Sequence, residues 1–88
     1  MDTDYTHIPA ASRIVIANRN IEMYKNTIWE ATVNVEAAEI VHNEQMKATN
    51  TENIRQSIAL IKIWRERLEA AEAELKAPVA TPNGQAVA

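Results

Sequence analysis

The residues with the clearest capacity for chemistry lie in the stretch EAAEIVH, where Glu36, Glu39 and His42 recur every three positions. On a helix this spacing places the Glu39 carboxylate and the His42 imidazole on one side. Glu-x-x-His pairs of this kind supply ligands to di-iron sites in helical bundles, where other helices provide further carboxylates. The chain has one such pair. We therefore favour the interpretation that Glu39 and His42 are polar positions without a metal, and we expect no cofactor.

Other residue types give little support for catalysis. The sequence contains no cysteine, which excludes thiol chemistry, disulfides and cysteine-based zinc sites. His7 lies close to Asp2 and Asp4, a pattern more typical of an exposed charged arm than of a metal site. Ser12 and Ser57 lack the glycine-rich turn of a nucleophile elbow, and the single glycine cannot form a phosphate-binding loop. We expect a non-enzymatic protein.

The composition predicts long helices and a partner. The chain has 88 residues, of which 47% are hydrophobic, with one Gly and three Pro. So few turn-forming residues favour helices over a sheet. A chain of this size buries only a modest fraction of its surface, which favours oligomerisation or binding to another protein.

Charge and hydropathy limit the kinds of partner. The net charge is −3, from nine basic and twelve acidic residues, whereas a nucleic-acid binder needs a clustered basic face. No apolar run approaches the ~20 residues of a membrane span. The start, MDTDYTHIPA, is polar and acidic where a signal peptide needs a basic and then an apolar stretch. We expect no general nucleic-acid binding, no membrane association and no secretion by a signal peptide.

Apolar residues repeat every seven positions in two segments, which is the pattern of a coiled-coil seam. Strand alternation fails at EAAEIV, whereas the heptad pattern runs through it. The first seam comprises Ile14, Ile21, Ile28 and Val35, with Ala17, Tyr24, Ala31 and Ala38 three residues after each. The second comprises Ile54, Ile61, Leu68 and Leu75, with Ser57, Trp64 and Ala71.

The break between the seams, KATNTEN, predicts the turn of a hairpin. Thr49 and Glu52 have the spacing of a capping box, and Pro78 ends the second helix because the residue before a proline avoids helical geometry. Helices joined by so short a loop pack antiparallel. The sequence therefore predicts an all-α, coiled-coil-like antiparallel two-helix hairpin between two extended segments. Its parts are an N-terminal arm (1–9), a hairpin (10–77) with helices 10–47 and 51–77, and a tail (78–88).

Folding the chain about residues 48–50 places Leu75 near Tyr24, so the second helix ends before it reaches the start of the first. About ten residues of the first helix then form an overhang, which includes Ile14, Val15 and Ile16. Further apolar residues lie off both seams, so both helices are apolar over a wide arc. We expect these residues to contact other copies or another protein. The predicted interface comprises Ile14, Val15, Ile16, Met23, Trp29, Val33, Ile40 and Trp64.

The short polar arm, the segments NIEMYKNTIWEATVNVEAAEIV and IWRERLEAAEAELKA, and the Pro/Ala tail resemble small cysteine-free helical-hairpin accessory proteins of tailed bacteriophages. The resemblance implies a virion structural protein, such as a cement, connector-associated or scaffold-like protein, found in the virion or the host cytoplasm. It also implies an alternative, a small oligomeric inhibitor that sequesters an anionic ligand such as a cyclic nucleotide. Under that alternative the candidate ligand-binding residues are Tyr5, Arg13, Arg19 and Lys25.

Overall fold

The computed structural model describes residues 8–77, which form an all-α hairpin as predicted. The first helix, α1, spans Ala10–Ile40, and the second, α2, spans Glu44–Lys76. Most of the predicted arm (1–9) and all of the predicted tail (78–88) lie outside the described residues.

Ion pairs near both ends of the hairpin show that the helices run antiparallel. Near the start of α1, the Arg13 guanidinium lies 2.5 Å from a Glu74 carboxylate oxygen near the end of α2. Next to the turn, the Lys47 ammonium lies 3.2 Å from Glu39. The two helices therefore lie alongside each other from the turn to the opposite end, called here the open end.

The predicted heptad positions form the contact between the helices. Most of the buried residues are small, which lets the two backbones approach closely. Leu75 is an exception to the predicted seam: it is 58% exposed, because it lies in the last turn of α2, where α1 begins and offers little cover. The buried residues are Ala17, Ile21, Ala31, Ala38, Ser57 and Ala71.

The turn comes earlier in the chain than predicted, at residues 41–43. The α1 helix ends at Ile40 rather than at residue 47 because His42 adopts a left-handed backbone conformation with φ of 56°. The backbone N–H of Asn43 donates to the Ala38 carbonyl at 2.9 Å, and that of His42 donates to Glu39 at 3.3 Å. These two bonds are those of a Schellman motif, in which a left-handed residue ends the helix and satisfies its last carbonyls.

The second helix begins at Glu44 rather than at residue 51 because Asn43 caps it. The Asn43 side-chain oxygen accepts a hydrogen bond from the Met46 backbone N–H at 3.0 Å, which satisfies a donor at the start of α2. The predicted capping box at Thr49 and Glu52 is wrong. Both residues lie inside α2, where Glu52 instead accepts hydrogen bonds from side chains further along the same helix.

Moving the turn changes which residues of the two helices face each other. The predicted pairing of Leu75 with Tyr24 is wrong, because the end of α2 lies beside the start of α1, as the Arg13–Glu74 pair shows. The predicted overhang at Ile14, Val15 and Ile16 is wrong for the same reason. With 33 residues, α2 is long enough to cover the 31 residues of α1.

Candidate interaction surfaces

The core of the hairpin is thin. Among residues 8–77, no large side chain is fully buried, and the buried positions are mostly alanines. Two helices in contact form a single layer, whereas stable domains usually enclose a core between packed layers. Surfaces outside the seam are therefore the candidates for function.

One such surface is the outer stripe, defined as Trp29, Val33 and Ile40 on α1. Each of these residues lies two positions from a buried alanine, Ala31 or Ala38, and therefore about 200° around the helix from it. The stripe accordingly faces away from α2. Trp29 is 71% exposed and Ile40 is 78% exposed, so large apolar side chains remain in contact with water after the hairpin has closed.

A second surface is the hollow face, which lies across both helices towards the open end. A hollow of about 480 Å³ lies on this face. Met23 lies seven residues after Ile16, and Leu60 lies three before Ile63, so both follow the hollow along the same side of their helices. The side chains that line the hollow are Ile8, Arg13, Ile16, Ile63, Trp64, Arg67 and Ala70.

Arg13 is held in place at the edge of this hollow. Its Nε donates to the Ile8 carbonyl at 2.7 Å, and its terminal nitrogen pairs with Glu74. No carboxylate of residues 8–77 lies within ion-pair distance of Arg67, the other cation of the hollow. The hollow therefore has apolar walls and two guanidinium groups. That of Arg13 is neutralised by Glu74, and that of Arg67 has no carboxylate partner within the described residues.

The side of α2 that carries Ile58 has a different character. A shallower hollow of about 370 Å³ on this side is lined by two isoleucines and four charged side chains of both signs, which are readily solvated. They are Ile58, Ile61, Lys62, Arg65, Glu66 and Glu69.

A surface ion pair on α2 changes the titration of one carboxyl group. The Arg55 guanidinium lies 2.5 Å from Glu52 and the Gln56 amide lies 3.0 Å from it. These hydrogen bonds, Arg55 first, hold the pKa of Glu52 below its usual range and raise that of Arg55. The side chains of Glu52 and Arg55 both lie at the surface, so the effect is local to this stretch of α2.

The predicted interface residues fall into three places. Ile14 is half-buried in the seam and is not the uncovered residue that the predicted overhang required. Ile16 and Trp64 line the hollow, with Met23 beside them. Trp29, Val33 and Ile40 form the outer stripe, and Val15 is exposed nearer the open end. The sequence pattern did not single out Arg67 and Ala70, although they continue the three- and four-residue spacing of Leu60 and Ile63.

The predicted ligand-binding residues are not brought together. Arg13, Arg19 and Lys25 are each six residues apart, so successive members lie about 240° around the helix from one another. Of the three, Arg13 lines the hollow, and Lys25 pairs with Glu22 at 3.2 Å. Tyr5 lies outside the described residues.

The candidate metal pair is also engaged elsewhere. Glu39 pairs with Lys47. His42 lies beyond the end of α1, in the turn, so its side chain does not share a helix face with Glu39. Within residues 8–77, no group of three or more potential ligands is placed to hold a metal ion.

Comparison of this chain with protein-family models, with curated proteins and with solved structures found no match. Neither α1 nor α2 is apolar enough over sufficient length to cross a bilayer. The class that the geometry defines is thus a helical hairpin with exposed apolar surfaces.

Proposed function

We propose that this chain is a non-enzymatic protein–protein assembly module that adds a helical layer to larger subunits. The observation that carries the proposal is the outer stripe, where Trp29 and Ile40 are mostly exposed although the hairpin is closed. Exposed apolar patches of this kind mark interaction sites in soluble proteins.

The geometry of the stripe suits recognition by a groove. Its members are spaced by four and seven residues on one side of α1, which is the pattern of an amphipathic helix that binds in an apolar groove. The stripe extends over twelve residues, or about 16 Å from Trp29 to Ile40. Covering each large side chain contributes roughly 1.5–3 kcal/mol, and tryptophan is enriched among residues that dominate binding energy.

The setting we propose is a virion, where the chain binds larger subunits as a cement, connector-associated or scaffold-like protein. This part rests on the resemblance to small hairpin proteins of tailed bacteriophages. The alternative, an oligomer that sequesters an anionic ligand, has less support because Arg13, Arg19 and Lys25 lie on different sides of α1.

The test is incorporation of the chain into purified particles of the phage that encodes it, measured as copies per particle by mass spectrometry. The double variant Trp29→Ser/Ile40→Ser removes the two most exposed side chains of the stripe. Ile58→Ser is the matched control, because Ile58 is 56% exposed on the charged side of α2. We expect fixed stoichiometry for the natural chain and the control, and loss for the stripe variant. Absence of the natural chain from particles, or normal incorporation of the stripe variant, would overturn the proposal.

A further inference from the structure

We propose that the hollow face is a self-interface, on which a second copy of this chain packs to complete a four-helix bundle. The proposal deepens the assembly function above, since it assigns the hollow face to a second copy and leaves the outer stripe for another protein. Two hairpins joined in this way bury the hollow faces of both copies in a core between two layers.

The size of the face fits a dimer. The 31 residues of α1 extend over about 46 Å, and two helices side by side are roughly 20 Å wide. The whole face therefore measures about 900 Å², but the two-fold axis described next lies nearer the open end, so the two copies overlap over roughly 20 residues of each helix, or about 29 Å. The overlap is about 580 Å² per copy, close to the lower limit of roughly 600 Å² per partner for a specific interface. The apolar side chains Ile16, Ile63 and Trp64 line its hollow, which lies towards the open end.

The face is complementary to itself. Met23 is 47% exposed and lies beside the hollow, two turns from Ile16 in its wall. Consider a two-fold axis that lies in the plane between the two copies, perpendicular to the helices and midway between these residues. It places Met23 of each copy over Ile16 of the other. This reciprocity, in which residue i contacts j and j contacts i, is what a two-fold interface requires.

The second helix gives the same position for the axis. Leu60 lies on the hollow face, and the small side chain of Ala70 lines the hollow. The midpoint between them on α2 lies at the level of the midpoint between Met23 and Ile16 on α1, to within about three residues. We take this level from the Arg13–Glu74 contact across the hairpin. One axis therefore places two large side chains of each copy, Met23 and Leu60, over the hollow of the other copy.

The charges on the two broad sides agree with this choice. Arg13 on the hollow face is neutralised by Glu74, whereas the side that carries Ile58 has four charged side chains around its hollow. Arg67 is the exception, since the axis brings the two copies of this guanidinium near each other. Like charges near the axis oppose pairing, and salt screens this repulsion.

Cysteine cross-linking tests the arrangement directly, because the chain has no natural cysteine. We expect a mixture of the Ile16→Cys and Met23→Cys variants to form a disulfide-linked heterodimer under mild oxidation. Each variant alone should cross-link poorly, since its two copies lie about 10 Å apart along the helix, beyond the ~7 Å Cα separation that a disulfide tolerates. A mixture of Ile16→Cys and Val33→Cys is the control. Equal cross-linking in that control would overturn the proposal.

Sedimentation equilibrium separates this proposal from the assembly function. Met23→Asp should weaken self-association by about tenfold or more, which corresponds to 1.4 kcal/mol, whereas Val33→Asp on the outer stripe should leave it unchanged. A natural chain that stays monomeric at all concentrations, or a dimer that only Val33→Asp disrupts, would overturn the self-interface. Neither result depends on incorporation into particles, which tests the outer stripe.

Discussion

Replacing His42 tests the position of the turn. This residue has φ of 56°, in the left-handed region that costs an L-residue roughly 1–2 kcal/mol. Glycine adopts the same backbone at no steric cost but loses roughly 0.5–1 kcal/mol more conformational entropy on folding. The difference predicts that His42→Gly stabilises the hairpin by about 0.5–1 kcal/mol.

The assay is thermal and urea unfolding followed by circular dichroism at one fixed protein concentration, because association would shift the apparent stability. For a domain of this size, the expected gain corresponds to a rise in Tm of roughly 2–8 °C. His42→Val should lower Tm instead, because a β-branched side chain is poorly tolerated at positive φ.

Thr49→Gly is the matched control, since residue 49 lies in the turn that the sequence predicted but inside α2 in the structure. In a helix interior, glycine is about 1 kcal/mol and threonine up to about 0.7 kcal/mol less favourable than alanine, so Thr49→Gly should cost about 0.3 kcal/mol or more. We therefore expect glycine to stabilise at position 42 and to destabilise at position 49. The opposite pair of results would refute the turn at residues 41–43 and the helix register that depends on it.

Three further predictions concern the seam, the cap and a surface carboxylate. Asn43→Ala should destabilise the hairpin by about 1 kcal/mol in urea unfolding, because α2 loses its side-chain cap; an unchanged midpoint would contradict that role. Ala31→Leu should cost roughly 1–3 kcal/mol, because Ala31 is buried where the helices approach closely, and a gain in stability would indicate looser packing. The stability that Glu52 contributes should be present above its ordinary carboxyl pKa of 4.5 and lost as the pH falls through its lower folded-state pKa, since Arg55 binds the ionised form. In unfolding measured across pH, Glu52→Gln should remove this acid-dependent part, and an identical pH profile would contradict it.

The sequence was sufficient to predict the helices and the seam because heptad periodicity depends on local spacing. Buried positions such as Ala17, Ile21 and Ala38 were all identified from that spacing. The turn was missed because its usual signals are absent: histidine occupies the left-handed position where glycine is common. The Thr49–Glu52 spacing resembled a helix start but lies within a continuous helix.

The candidate surfaces were predicted only in part, since they depend on the turn. The outer stripe lies on one helix, so its spacing alone placed Trp29, Val33 and Ile40 together. The hollow face combines Ile16 from α1 with Ala70 from α2, and their proximity follows from the register of the two helices. An error of several residues at the turn was enough to present Ile16 as part of an overhang.

The central claim is that the exposed apolar surfaces of this thin hairpin are contacted by other copies of the chain or by another protein. The most direct test is the solution mass of the purified chain, measured by sedimentation at several concentrations together with thermal melts. We predict a mass above that of the 9.9 kDa chain and a Tm that rises with protein concentration. A chain that remains a single 9.9 kDa species with a high, concentration-independent Tm would contradict the claim, because the hairpin would then be stable with its apolar surfaces in water.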